Sequence, residues 1–305
     1  MKRNLLTLFD LDKSAFHEII EISSRFKNEN LKDDFLKNKN IGLIFEKNST
    51  RTRVSTEVAI HQLGGNPIYL SSGELQLNRG ESIEDTAKVL SRYLDAVIIR
   101  AKSHSLLERF AAVSDIPVIN ALSDKAHPLQ ILADFLTIHE NGIDLNNLKL
   151  CFLGDGKNNV CRSLMAGFTF INGIMHIGTH PDFLPEPDYL KKVTAAGAKI
   201  KVFQQPRESV KDMDVLYTDV WVSMGQEDES AERKEKLKDF QINKEILAKT
   251  GKNSVVLHCL PAVKGEEISD EVFDSINSKV FDQAENRLHS MKAVLKYIMS
   301  GIKND

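Results

Sequence analysis

The chain is 305 residues long, room for two domains of ordinary size. Hydrophobic residues make up 42% and charged residues 27%, which excludes a disordered, collagenous or coiled-coil chain. Forty basic against 43 acidic side chains leave a formal charge of -3, without the basic excess or long Lys/Arg run of a nucleic-acid binder.

The N-terminus, Met1 to Asp10, turns acidic too soon for a signal peptide, and no stretch approaches the roughly 20 apolar residues of a membrane span. Cys151, Cys161 and Cys259 cannot all pair within one chain and show no metal-ligand spacing. The expectation is a soluble protein of a reducing cytoplasm with neither a nucleic-acid nor a membrane partner.

Short β-branched runs then alternate with longer helical patterns. The predicted strands are Ile41–Phe45, Pro67–Leu70, Ala96–Arg100 and Pro117–Asn120, followed by Lys149–Leu153, Met175–Gly178, Lys199–Phe203, Val215–Asp219 and Val255–Cys259. Helix-period segments lie between them. Thr52–Leu63 is closed by Gly64 and Gly65, and Ser82–Tyr93 opens with a capping-box-like Ser82 and Asp85. A helical stretch at Pro128–Glu140 and a polar turn at Asn141–Asn147 separate two such runs. The last helix is expected over Glu285–Ser300. Alternation of this kind predicts an α/β fold, two doubly wound parallel-sheet domains joined by interdomain helices. The expected domains are 1–140 and 141–284, with the terminal helix, 285–301, packing back on the first.

Ser49-Thr50-Arg51-Thr52-Arg53 follows a strand and opens a helix, where free N–H groups, hydroxyls and guanidiniums together suit a phosphate. Its plain alternative is a helix cap with solvated arginines. His127-Pro128-Leu129-Gln130 opens the middle helix, and Arg100 ends a strand, where ligands of open α/β sheets gather. Gly154-Asp155-Gly156-Lys157-Asn158-Asn159 lacks the third Gly of a dinucleotide fingerprint and reads locally as a capped tight turn. Asp219 precedes the single Trp, in Asp219-Val220-Trp221-Val222-Ser223-Met224-Gly225, and suits either a turn or an ammonium group. In His258-Cys259-Leu260-Pro261 the Cys is no dyad with its His, because strand neighbours point to opposite faces; alone it reads as a structural thiol. Glu285-Asn286-Arg287 is expected in the first turn of the last helix.

Together these segments resemble the aspartate/ornithine carbamoyltransferase family along nearly the whole chain. Ser-Thr-Arg-Thr-Arg and His-Pro-x-Gln are marks of the whole family. Asp-x-Trp-x-Ser-Met-Gly and His-Cys-Leu-Pro are marks of its ornithine branch. The resemblance implies transfer of a carbamoyl group from carbamoyl phosphate to the δ-amine of L-ornithine, giving citrulline and phosphate, with no metal or other cofactor. It places Ser49, Thr50, Arg51 and Thr52 at the phosphate, with Arg287 also at carbamoyl phosphate, and Arg100, His127 and Gln130 at the carbamoyl group. Gln76 corresponds to a loop residue supplied to a neighbouring subunit's site in a homotrimer. Asn159, Asp219, Ser223 and Met224 would bind the amino-acid end of ornithine, and Cys259 and Leu260 would sit where the carbamoyl group meets the reacting amine. Arg100, His127, Asp219 and Cys259 are the expected catalytic set. Some relatives have Arg where Ala262 stands, which leaves Arg287 as the basic group from this end, with Lys264 as a supplement.

Two substrates divided between two domains also imply closure around them. The family's aspartate branch is disfavoured by Cys259, Arg79 and the Ser-Met-Gly loop. Putrescine or N-acetylornithine as acceptor differs by less. A nicotinamide oxidoreductase would use the Gly154–Asn159 turn and leave the Ser-Thr-Arg-Thr-Arg cluster unexplained. A non-catalytic relative would be expected to carry degraded motifs, and none is degraded here.

Overall fold

In a computed structural model the structure describes residues 2–29, 33–71, 80–222 and 227–300. The chain divides into two compact units, Met1–Leu136 with Glu285–Asp305, and Thr137–Ala284.

In the first unit four parallel strands, β1 (Asn40–Phe45), β2 (Asn66–Ser71), β3 (Ala96–Arg100) and β4 (Val118–Leu122), lie in the order β2-β1-β3-β4. Parallel neighbours need crossovers. After α1 (Lys13–Asn28), they are supplied by α2 (Thr50–Gln62), α3 (Ile83–Leu90) and α4 (His104–Val113). Ile41–Phe45 and all of β3 are buried, the unbroken burial of strands covered on both faces. From this sheet α5 (Pro128–Glu140) carries the chain across the division between the units.

The second unit holds five parallel strands, β5 (Lys149–Leu153), β6 (Ile174–Gly178), β7 (Lys199–Phe203), β8 (Val215–Thr218) and β9 (Val255–His258). Their order is β7-β6-β5-β8-β9. Among its flanking helices are α6 (Asn159–Gly167), α7 (Pro187–Ala195) and α8 (Ser230–Leu237). A final helix, α9 (Val280–Met299), begins in the second unit and ends in the first. Lys27 Nζ donates to Asn286 Oδ1 at 2.8 Å and Lys292 Nζ to Gln62 at 3.1 Å, joining this helix to α1 and α2.

The two-domain α/β expectation holds, and all the predicted strands form within two residues of their expected ends. Several boundaries differ for local reasons. Helix α9 starts five residues before Glu285, because buried Val280 and Gln283 anchor an extra turn that exposed Phe281 hides from an apolar-periodicity reading. Arg287 therefore sits inside the helix, not in its first turn. Helix α3 stops at Leu90, and the backbone tightens to Val89–Arg92 and Leu90–Tyr93 hydrogen bonds. Strands β8 and β9 each end one residue early, so Asp219 and Cys259 lie just past the pleat.

Candidate active site

The strand order of the first unit reverses between β1 and β3. Their carboxyl ends, Phe45 and Arg100, are register partners, and the Glu46 N–H donates to the Arg100 carbonyl at 2.9 Å. Such a switch point is where open parallel sheets offer a crevice. Helix α2 starts beside it. Ser49 caps that helix, accepting from the Thr52 N–H at 3.3 Å and donating to Thr52 Oγ1 at 3.0 Å. Thr52 Oγ1 also accepts from Arg287 Nη2 at 2.7 Å.

The two arginines of the Ser-Thr-Arg-Thr-Arg run part company. Arg53 donates to Glu57 at 2.9 Å and lies 3.6 Å from the centre of the Tyr69 ring. Arg51 Nε is buried with no hydrogen-bond partner among the described residues. A buried guanidinium donor at a helix N-terminus is poised for an anion.

His127 precedes Pro128 at the start of α5, and its carbonyl accepts from the Gln130 N–H at 3.1 Å. Burial, then the positive charges of Arg287 and Arg100, hold this imidazole well below the ordinary histidine value. His127 is thus neutral near pH 7 and can offer a ring N–H to a developing negative charge. One turn along, buried Gln130 donates through Nε2 to Asp134 Oδ1 at 2.8 Å.

The second unit has its own switch point, between β5 and β8, where Leu153 and Thr218 are register partners. Beyond β5 the chain turns at Gly154, whose φ of 132° is a conformation L side chains rarely adopt. Asn158 then caps α6, accepting from the Val160 N–H at 2.7 Å. Its amide also donates to Asp219 Oδ2 at 2.9 Å. Cys259 donates through Sγ to Asp219 Oδ1 at 3.0 Å. Cys259 lies just past the strand end and is partly exposed, where its local reading expects a buried thiol, and it is bonded to the Asp219 carboxylate.

Asp219, His258 and Cys259 each present a ligand atom within 4.8 Å of the others. Both nitrogens of His258 are already engaged, Nε2 with Glu267 at 2.9 Å and Nδ1 with the Leu260 N–H at 2.9 Å. Cys259 and Asp219 are thus bonded to each other, while the His258 ring is spent on Glu267 and on holding the Leu260 backbone. Leu260 takes a left-handed backbone, φ 57°, to make its contact with that ring.

Against known proteins, residues 3–140 match the carbamoyl-P binding domain of the aspartate/ornithine carbamoyltransferase family, and residues 146–298 match its Asp/Orn binding domain. The chain belongs to the aspartate/ornithine carbamoyltransferase family. It is 50% identical over 300 residues to an ornithine carbamoyltransferase of Methanosphaera stadtmanae, covering 97% of this chain and 99% of that protein. An ornithine carbamoyltransferase of Archaeoglobus fulgidus is 48% identical over 296 residues, 96% of each chain. The solved structure of ornithine carbamoyltransferase from Pyrococcus furiosus superposes with a TM-score of 0.93 at 44% identity, covering 99% of this chain and 98% of that one.

Within this carbamoyltransferase fold, Ser49, Thr50, Arg51, Thr52, Arg100, His127, Gln130 and Arg287 all belong to the first unit, while Asn159, Asp219, Cys259 and Leu260 belong to the second. Gln76, Ser223 and Met224 lie outside the described residues. Lys264 donates to both carboxylate oxygens of Asp274 at 2.8 Å. Arg233 escaped the sequence reading. It donates to the Trp221 carbonyl at 2.8 Å and pairs with Asp155, both partners buried, so it ties the chain after Asp219 to the β5 turn. In sequence it stands in the charged run Glu232–Lys236 and looks solvated. The sequence shows Asn158 only as a cap; its second bond, to Asp219, joins two strand ends that only the sheet order makes neighbours.

Proposed function

We propose that the protein is an ornithine carbamoyltransferase, moving the carbamoyl group of carbamoyl phosphate to the δ-amine of L-ornithine. The observation that carries this reading is the contrast between the two switch points. One gathers arginines, a neutral imidazole and a helix N-terminus, which suits a dianionic acyl phosphate. The other gathers a buried carboxylate, an amide and a thiol, which suits a cationic amino acid.

In this reading Ser49, Thr50, Arg51, Thr52 and Arg287 hold the phosphate, and Arg100 and His127 donate to the carbamoyl oxygen as negative charge grows there. Fixed donors of this kind are each worth about 3 kcal/mol. Gln130 faces the carbamoyl amide. Asn159, Asp219, Ser223 and Met224 take the amino-acid end of ornithine, and Asp219 together with Cys259 and Leu260 orients its δ-amine. That amine has a lysine-like pKa of about 10, so it must shed a proton before attack. The nitrogen then bonds to the carbamoyl carbon, the bond to the bridging oxygen breaks, and phosphate departs with that electron pair and takes up the second amine proton.

The same reading makes the protein a cytoplasmic homotrimer whose sites each borrow Gln76 from a neighbouring subunit. Transfer from an acyl phosphate to an amine runs downhill toward citrulline, the direction that an arginine-biosynthetic role uses. The deciding experiment is a product assay with carbamoyl phosphate and four acceptors. Ornithine should be preferred over putrescine, N-acetylornithine and aspartate, and preference for any of those three would replace the acceptor assigned here.

A further inference from the structure

Gln130 is 1% exposed, so its amide cannot satisfy itself with bulk water. Its Nε2 donates to Asp134, which is 0% exposed and stands one turn further along α5. A carboxylate accepts and does not donate, so it can hold only the NH2 end of a primary amide. The carbonyl end, Oε1, is buried with no hydrogen-bond partner among the described residues. An amide ordinarily free to turn over is thereby fixed, its donor end spent on Asp134 and its acceptor end left without a partner among the described residues.

We propose that Asp134 is a positioning residue that makes the site selective for an acyl phosphate bearing an NH2 group. This rests on the reading of the first unit as the carbamoyl phosphate site. Carbamoyl phosphate carries an amide NH2 where acetyl phosphate carries a methyl group of similar size. Every cation and hydroxyl at the phosphate treats the two alike. A fixed acceptor separates them, because it gains a hydrogen bond from the one and is left buried and unpaired by the other.

The test measures equilibrium binding of carbamoyl phosphate and acetyl phosphate to the full-length protein and to Asp134→Asn. The asparagine is isosteric but can hold either end of the Gln130 amide, so the orientation is no longer imposed. Carbamoyl phosphate should bind about tenfold more weakly to the variant, while acetyl phosphate changes by less than about twofold. Asp134→Ser, whose hydroxyl likewise favours neither end, carries the same expectation if the asparagine variant does not fold. Gln130→Met should abolish the preference by itself, and adding Asp134→Asn to it should not alter the ratio further, since the two residues act as one unit. Equal weakening of both ligands, or an unchanged ratio in both Asp134 variants, would overturn the positioning role and leave the carbamoyl phosphate site intact. A wild-type protein without any preference for carbamoyl phosphate would instead overturn the assignment of the site itself.

Discussion

Arg287 Nη2 donates to Thr52 Oγ1 across 2.7 Å, a bond between residues 235 positions apart in the chain. It fixes a guanidinium from the last helix against the first turn of α2, where Ser49 already orders the same hydroxyl at 3.0 Å. Arg287→Ala should therefore weaken carbamoyl phosphate binding and remove about 3 kcal/mol of transition-state stabilisation. Steady-state kinetics with carbamoyl phosphate varied at saturating ornithine measure this. An unchanged kcat/KM would take Arg287 out of the site.

Arg51 and Arg53 give a matched pair of controls two residues apart. Arg51→Ala should abolish useful turnover with little change in Tm, because its buried Nε serves no partner among the described residues. Arg53→Ala removes a solvent-exposed ion pair and a contact with the Tyr69 ring, and should leave both turnover and Tm nearly unchanged. Activity lost in the second variant and kept in the first would reverse the assignment.

Cys259→Ser should preserve the fold and carbamoyl phosphate binding while raising the KM for ornithine. The shorter hydroxyl alters a 3.0 Å contact with Asp219 that orients the amine. Thiol reagents give an independent check. Burial pushes the Cys151 thiol up to about 12 and raises Cys161 well above its ordinary value, so neither supplies thiolate near neutral pH. Alkylation of the native protein should modify Cys259 alone, and ornithine should slow it. Labelling of Cys151 or Cys161 at the same rate would contradict that pattern.

The depressed pKa of His127 fixes the direction of a pH effect. The unfolded chain takes up a proton on this residue near the ordinary value of about 6.5, while the folded chain resists until well below it. The His127 contribution to stability is thus fully present above that ordinary value and is lost as pH falls toward the folded pKa. Thermal unfolding should show stability declining in that window, less steeply in His127→Asn, and imidazole NMR signals should show His127 neutral at pH 6.5. A His127 resonance titrating at the ordinary value would contradict the cationic neighbourhood.

The sequence made the fold legible because buried parallel strands leave unbroken apolar runs and crossover helices leave their own period; Ala96–Arg100 and Lys149–Leu153 match to the residue. Motif residues were readable for a different reason, since Ser49, Arg51 and His127 sit in short segments at strand and helix ends. The supporting partners were not. Asp155 finds Arg233, and Asn158 finds Asp219, only because β5 and β8 are neighbours in the sheet. Asp134 was within reach, being four residues from Gln130 on one helix face, but a polar pair at that spacing also describes any exposed helix. Apolar periodicity hides the first turn of α9, because that turn exposes Phe281 and buries Gln283.

The most direct measurement incubates the purified protein with carbamoyl phosphate and L-ornithine and quantifies both products against a no-ornithine control. One citrulline should appear for each ornithine-dependent phosphate released, with Asp219→Ala losing at least about a hundredfold in rate while still binding carbamoyl phosphate. Phosphate release without citrulline, or undiminished citrulline formation by Asp219→Ala, would contradict transfer to an amine oriented by the second switch point.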